Sequence, residues 1–162
     1  MIFVHSGNLL FYGERTSKIR EAGVPISFDF SDDSEDSYYA EVAPTVDYAF
    51  CSFDGTDEEA REHLKRLFPM DQSLLLHPEV QMAVFLYDGQ EYYVQKAVPI
   101  KEVVDTMGAG DSLIASFMVA YTDHLKKGIT GETAIRESLA AAEFASKVCG
   151  MNGAFGYGKK YE

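Results

Sequence analysis

Residues 103–112, with the sequence VVDTMGAGDS, combine the residue types that phosphate chemistry requires. The small residues Gly108, Ala109 and Gly110 let the backbone turn tightly and point its N–H groups in one direction. A predicted helix follows immediately, so these groups would lie at a helix N-terminus, which attracts anions. Asp111 falls in the first turn, where its carboxylate suits the removal of a proton from a hydroxyl that attacks phosphorus.

A purely structural role for this segment stays open. A glycine-rich helix start also occurs without a ligand, and Asp111 would then act only as a cap or a favourable charge in the first turn. The chemical interpretation is favoured because Asp105 and Thr106 precede the turn and two helices follow it. Short motifs carry false positives, so the surrounding elements matter.

The elements that must position the segment follow an α/β pattern. Apolar periodicity and turn residues predict a strand at 2–5, a helix at 9–21 and a strand at 26–30, and this βαβ unit implies a parallel sheet. The other predicted elements are a short helix or turn at 40–46, strands at 48–53 and 73–76, a helix at 57–67, a hairpin at 83–87 and 91–94, and helices at 108–126 and about 130–148.

Length and composition limit the function classes. A chain of 162 residues suits a single domain with a sizeable core. A net charge of −12 argues against nucleic acid and anionic membrane surfaces as partners, since both need clustered cationic side chains. The two cysteines, Cys51 and Cys149, form no metal-binding pattern and indicate reduced thiols in a cytoplasmic protein.

The segment 103–112 resembles the second signature of the ribokinase, or PfkB, family of carbohydrate kinases. The resemblance implies an α/β, ribokinase-like three-layer αβα fold with a mainly parallel sheet. It also implies ATP, Mg²⁺ and a monovalent cation as cofactors, with a small-molecule sugar as the second substrate. Family members are considerably longer, so residues 1–162 are expected to form one domain, the C-terminal portion, without the N-terminal part and its lid.

The same resemblance assigns roles to individual residues. It implies that Asp111 is the catalytic base. It implies that the amides of Gly108, Ala109 and Gly110 form an anion hole for the transferred phosphoryl group. The positions expected to contact the nucleotide are Thr106, Gly108 and Gly110. Those expected near the monovalent cation are Asp105 and Thr106.

A narrower resemblance covers most of the chain. Residues 18–31, 42–50 and 153–158 are similar to the corresponding stretches of fructoselysine 6-kinases. That subfamily phosphorylates the sugar part of fructose-amine adducts. The resemblance therefore implies a fructoselysine-like substrate.

Several positions depart from the family pattern. Ser116 stands where Ala or Gly is expected. Residues 76–82 lack the T-x-G-x-x-G turn, and the segment 52–55 lacks the N-x-x-E motif. The acids that could substitute for that motif, or simply begin a helix, are Asp54, Asp57 and Glu58.

These departures leave two further hypotheses. The chain could be a truncated or degenerate relative that keeps the fold and catalyses little. It could also use an uncovered sheet edge for assembly, for example as a homodimer.

Overall fold

The computed structural model describes residues 2–5, 9–31, 42–67, 74–78 and 83–156. Its internal contacts divide the chain into two compact units, Met1–Val94 and Gln95–Glu162. Whether the two units fold as one domain, as the length suggests, stays a prediction. Of the predicted elements, residues 40–41 and 73 lie outside the described part.

The first unit is built on a six-stranded sheet in which the strands follow one another in chain order. The strands β1 to β4 pair in parallel, and β4 pairs with β5 in the antiparallel direction. The predicted βαβ unit and mainly parallel sheet are therefore confirmed. The strands are β1 (Ile2–His5), β2 (Ile26–Asp29), β3 (Tyr48–Phe50), β4 (Leu74–Pro78), β5 (Ala83–Tyr87) and β6 (Tyr92–Lys96).

In the described part of the first unit, two α-helices and a 3₁₀ turn connect these strands. Helix α1 (Leu9–Glu21) joins β1 to β2, a 3₁₀ turn (Ala43–Thr45) precedes β3, and helix α2 (Asp57–Leu67) follows β3. Both helices agree with the predicted bounds. Helix α2 begins with a capping box, in which Thr56 N donates to Glu59 Oε2 at 2.8 Å and Glu59 N donates to Thr56 Oγ1 at 3.3 Å.

The core of the first unit lies around β2 and β3, whose residues are almost entirely buried. Such continuous apolar strands are typical of parallel sheets that are covered on both faces. A reciprocal pair of hydrogen bonds fixes the start of β2, because Ile26 N donates to Asp47 Oδ2 at 2.7 Å and Asp47 N donates to Ile26 O at 2.9 Å. The core contains Ile26, Phe28, Phe30, Val42, Ala43, Val46, Ala49, Cys51, Ala60, Leu64 and Phe85.

The second unit is helical in its described part. Helix α3 (Ala109–Lys126) packs against helix α4 (Gly131–Leu139) and helix α5 (Glu143–Cys149). Two 3₁₀ turns, Ala140–Ala142 and Ala154–Gly156, complete it. Its buried apolar side chains are Leu113, Ile114, Phe117, Met118, Tyr121, Ala134, Ile135, Leu139 and Val148.

The predicted helix at about 130–148 is not continuous. A 3₁₀ turn at Ala140–Ala142 separates α4 from α5. The hydroxyl of Ser116, on α3, lies 3.1 Å from Ala141 O and donates to it. The same hydroxyl also lies 3.1 Å from Leu113 O in its own helix. Ser116 thus links α3 to this 3₁₀ turn, a contact that periodicity along one segment could not reveal.

Among the described residues, no helix is both long enough and apolar enough to cross a bilayer.

The buried thiol of Cys51 gives the first unit a pH-dependent component of stability. Burial, and to a lesser extent the negative charge of Asp29, raises the pKa of Cys51 from 9.0 to about 12. The unfolded chain loses this proton near pH 9, whereas the folded chain keeps it. The free energy of unfolding therefore falls between about pH 9 and 12, by up to about 1.4 kcal/mol per pH unit.

We predict that Cys51→Ala makes this decline shallower, because the variant has no buried thiol to titrate. Urea unfolding followed by circular dichroism between pH 8.5 and 11 measures the slope. Cys149→Ala is the matched control and should keep the wild-type slope. Equal slopes in Cys51→Ala and the wild type would contradict the assignment.

Candidate functional site

The start of α3 depends on a left-handed turn at Gly108. Its φ and ψ angles are 77° and 5°, a region that disfavours residues with a Cβ atom. A Cβ atom added at this position would also lie 3.1 Å from Ala154 Cβ. Two features therefore favour glycine at position 108: the left-handed dihedral angles, and the close approach of Ala154 in the 154–156 turn.

The backbone amides around this turn are not equivalent. Ala109 N donates to Thr106 O at 3.1 Å, and Ser112 N donates to Gly108 O at 2.9 Å. Within the described residues, no backbone acceptor is bonded to the amides of Gly108, Gly110 or Asp111. Helix starts leave such donors for side chains, water or a ligand. The donors available for an anion are thus those of 108, 110 and 111.

This arrangement modifies the expected anion hole. The resemblance gave it the amides of Gly108, Ala109 and Gly110, and the structure ties the Ala109 amide to Thr106 O. The amide of Asp111 was not among the predicted donors. Its availability follows from where the helix begins, at Ala109, one residue later than predicted. The anion hole itself stays a prediction.

Asp111 lies in the first turn of α3 and is exposed to solvent. The helix dipole favours a negative charge at this end. The carboxylate belongs to the same first turn as the amide donors and is exposed to solvent, so that a ligand bound at those amides could reach it. Whether Asp111 acts as that base stays a prediction.

Asp105 connects the turn to a distant part of the second unit. Its Oδ1 accepts a hydrogen bond from Met107 N at 2.9 Å, and its Oδ2 accepts one from Gly153 N at 3.0 Å. The backbone amides of Val104 and Asp105 both donate to Cys149 O, at 2.8 and 3.2 Å. The segment before α3 is thus bonded to the segment after α5, a contact that sequence analysis missed.

The predicted cation role of Asp105 and Thr106 stays untested. Thr106 is exposed, and its carbonyl oxygen accepts the Ala109 amide. Across the described ranges, no group of three or more His, Cys, Asp or Glu side chains could hold a metal ion.

The segments that lack the T-x-G-x-x-G turn and the N-x-x-E motif, residues 76–82 and 52–55, belong to the first unit. Leu76 and Pro78 belong to β4, and residues 79–82 are outside the described part. Asp57 and Glu58 occupy the first turn of α2, where acidic side chains stabilise the helix, and Asp54 is exposed. A helix start is a sufficient reason for these acids, and their role as substitutes for N-x-x-E stays a prediction.

Comparison with solved structures defines the fold. The chain superposes on a microbiome-derived acarbose kinase with a TM-score of 0.73 at 22% sequence identity, covering 92% of this chain and 49% of that one. The ribokinase of Arabidopsis thaliana, solved with ribose and ATP, gives a TM-score of 0.71 at 20% identity, covering 94% of this chain and 50% of that one. The predicted ribokinase-like α/β fold is therefore confirmed.

Comparison of sequences defines the family. The pfkB family of carbohydrate kinases matches residues 3–154, and the chain belongs to that family. It is 40% identical over 139 residues to fructosamine kinase FrlD of Bacillus subtilis (strain 168), covering 85% of this chain and 46% of that protein. It is 30% identical over 125 residues to fructoselysine 6-kinase of Escherichia coli (strain K12), covering 77% of this chain and 46% of that protein. The chain thus spans about half the length of these relatives.

The glycines of the turn provide a direct test of its geometry. We predict that Gly108→Ala lowers the free energy of unfolding by about 1–2 kcal/mol, because Ala is disfavoured in the left-handed region. Gly110 has an open surrounding and no positive φ. Gly110→Ala should therefore raise stability by up to about 1 kcal/mol, as expected for Ala in a helix. Urea unfolding of both variants measures the difference, and equal effects would rule out the left-handed turn.

Proposed function

We propose that this chain supplies the phosphoryl-transfer portion of an ATP-dependent sugar kinase. One observation carries the proposal: the amides of Gly110 and Asp111 are unbonded within the described part of the chain, directly beside the exposed Asp111 carboxylate. Membership of the pfkB family supports it, since the family's description is a carbohydrate kinase.

The proposed mechanism uses positioning and electrostatics. The amides at 108, 110 and 111 would donate hydrogen bonds to oxygens of the transferred phosphoryl group, which carries the negative charge in the transition state. Asp111 would accept the proton of the sugar hydroxyl as its oxygen bonds to phosphorus. The leaving group would be ADP, so the phosphoryl group moves from ATP to the sugar oxygen and the proton moves to the Asp111 carboxylate.

ATP and Mg²⁺ are the proposed cofactors. Mg²⁺ usually binds through one or two carboxylates together with substrate phosphates and water. The described residues form no protein-built metal cage. The ion would therefore enter with the nucleotide phosphates, whose negative charge it offsets. The monovalent cation near Asp105 and Thr106 belongs to the same proposal.

The proposed second substrate is a fructosamine-type sugar such as fructoselysine. The support is the similarity to fructosamine kinase FrlD, at 40% identity over 139 residues. The fructoselysine 6-kinase of Escherichia coli adds a second relative, whose name gives a related substrate. A cytoplasmic location and assembly as a homodimer complete the proposal and are tested by cell fractionation and light scattering.

A second candidate is a degenerate relative that binds or assembles without appreciable catalysis. The specific observation in its favour is that residues 76–82 lack the T-x-G-x-x-G turn and residues 52–55 lack the N-x-x-E motif.

Calorimetry with ATP and Mg²⁺ separates the two candidates. The kinase hypothesis predicts binding in the micromolar range, because the amide donors and helix dipole favour the phosphates. No heat of binding at millimolar nucleotide would favour the degenerate relative. The variant Gly108→Ala should weaken any nucleotide binding, since it disturbs the turn that presents the amides.

We predict that Asp111→Asn lowers kcat about 10²- to 10⁴-fold, because the amide cannot accept the hydroxyl proton. The folded state should be unaffected, since the residue is exposed. The measurement is ADP release with ATP and a fructosamine substrate. Asp123→Asn is the matched control, an exposed acid at the other end of α3 that pairs with Lys127 at 2.6 Å. An unchanged kcat in Asp111→Asn would remove Asp111 from the role of base.

A further inference from the structure

We infer that Asp105 is a positioning residue, which holds the 153–156 segment against the Gly108 turn and thereby keeps the amide donors of α3 in place. The inference rests on the proposed function, because it concerns the same phosphate-binding turn. Beyond the cation position proposed near Asp105, it gives this carboxylate a structural task, and it gives a role to the 153–156 segment, to which the proposed mechanism assigns none.

The hydrogen bonds of Asp105 span two distant segments. The bond from Met107 N to Oδ1 is local and is an ordinary turn motif of Asp residues. The bond from Gly153 N to Oδ2 crosses 48 residues of sequence, at 3.0 Å. Hydrogen bonds to an ionised carboxylate are stronger than neutral ones. The Asp105 side chain therefore bonds both to the residues just before α3 and to the segment that follows α5.

The second segment reaches the turn itself. Gly153 has a positive φ of 66°, and the next residue, Ala154, lies against Gly108, where an added Cβ atom would be 3.1 Å from Ala154 Cβ. The contact leaves little space on that side of the turn. If Gly153 were released, Ala154 would no longer confine Gly108, and the orientation of the following amides would become less fixed.

A carboxylate suits this role better than an amide. Asp105 offers one acceptor oxygen to each of two N–H donors. Asn would offer a single acceptor oxygen, and its NH₂ group would face the second donor. The substitution Asp105→Asn therefore removes one of the two bonds while keeping the size of the side chain.

The test uses the whole chain with glycine-selective ¹⁵N labelling and inorganic phosphate as the probe. In the wild type, phosphate should shift the amide resonances of Gly108 and Gly110, and also that of Gly153. In Asp105→Asn, the Gly153 amide should exchange with solvent faster, and phosphate should bind roughly 10-fold more weakly, the loss expected for one hydrogen bond to a charged group. Asp88→Asn is the matched control.

Asp88 is a matched control because it is also an aspartate whose carboxylate accepts backbone amides, and it lies in the first unit, away from the Gly108 turn in sequence. Asp88 Oδ1 accepts hydrogen bonds from the amides of Gln90 and Glu91, at 2.9 and 2.8 Å. Its replacement should leave both phosphate affinity and Gly153 exchange unchanged. If Asp105→Asn does not fold, Ala154→Val serves instead, because the larger side chain would push the 153–156 segment away from Gly108 and weaken phosphate binding.

The possible outcomes separate the inference from the proposed function. Faster Gly153 exchange with unchanged phosphate affinity would make Asp105 a structural residue only and overturn the inference. Unchanged Gly153 exchange in both Asp105→Asn and Asp105→Ala would overturn it as well, since Ala removes both bonds and the bond to Gly153 would then be dispensable. If phosphate shifts none of the glycine resonances of the wild type, the phosphate site fails, and the proposed function fails with it.

Discussion

Gly108 holds its backbone in the left-handed region, and α3 begins at the next residue with amide donors that have no backbone acceptor within the described residues. The turn stops the helical hydrogen-bond pattern abruptly, so the amides of Gly110 and Asp111 have no backbone acceptor within the described residues. The same turn brings Asp111 beside them. An anion site and a carboxylate are thus produced by a single backbone conformation, which only glycine adopts at low cost.

This turn is secured by contacts from outside its own segment. Cys149 O accepts hydrogen bonds from the backbone amides of Val104 and Asp105, which precede α3. Gly153 N donates to the Asp105 carboxylate. The chain spans about half the length of its sequence relatives. The turn and its supports nevertheless all lie within the second unit.

Sequence predicted the parts that local chemistry determines. Glycines, helix periodicity and apolar runs located the turn, α3 and the βαβ unit, because each signal lies within the element it defines. Two features could not be predicted in this way. Ser116 on α3 donates to the 3₁₀ turn after α4, and Gly153 N donates to Asp105 across 48 residues of sequence. Both depend on contacts between segments, for which the spacing of residues along one segment gives no signal.

The central claim is that the amides at the start of α3 and the Asp111 carboxylate act on one phosphoryl group. A crystal structure with Mg²⁺ and a non-hydrolysable ATP analogue tests it most directly. The account predicts terminal phosphate oxygens within hydrogen-bond distance, about 3 Å, of the amides of Gly110 and Asp111. It also predicts that the Asp111 carboxylate lies on the side from which a hydroxyl would attack. A nucleotide bound with its phosphates away from this turn would contradict it.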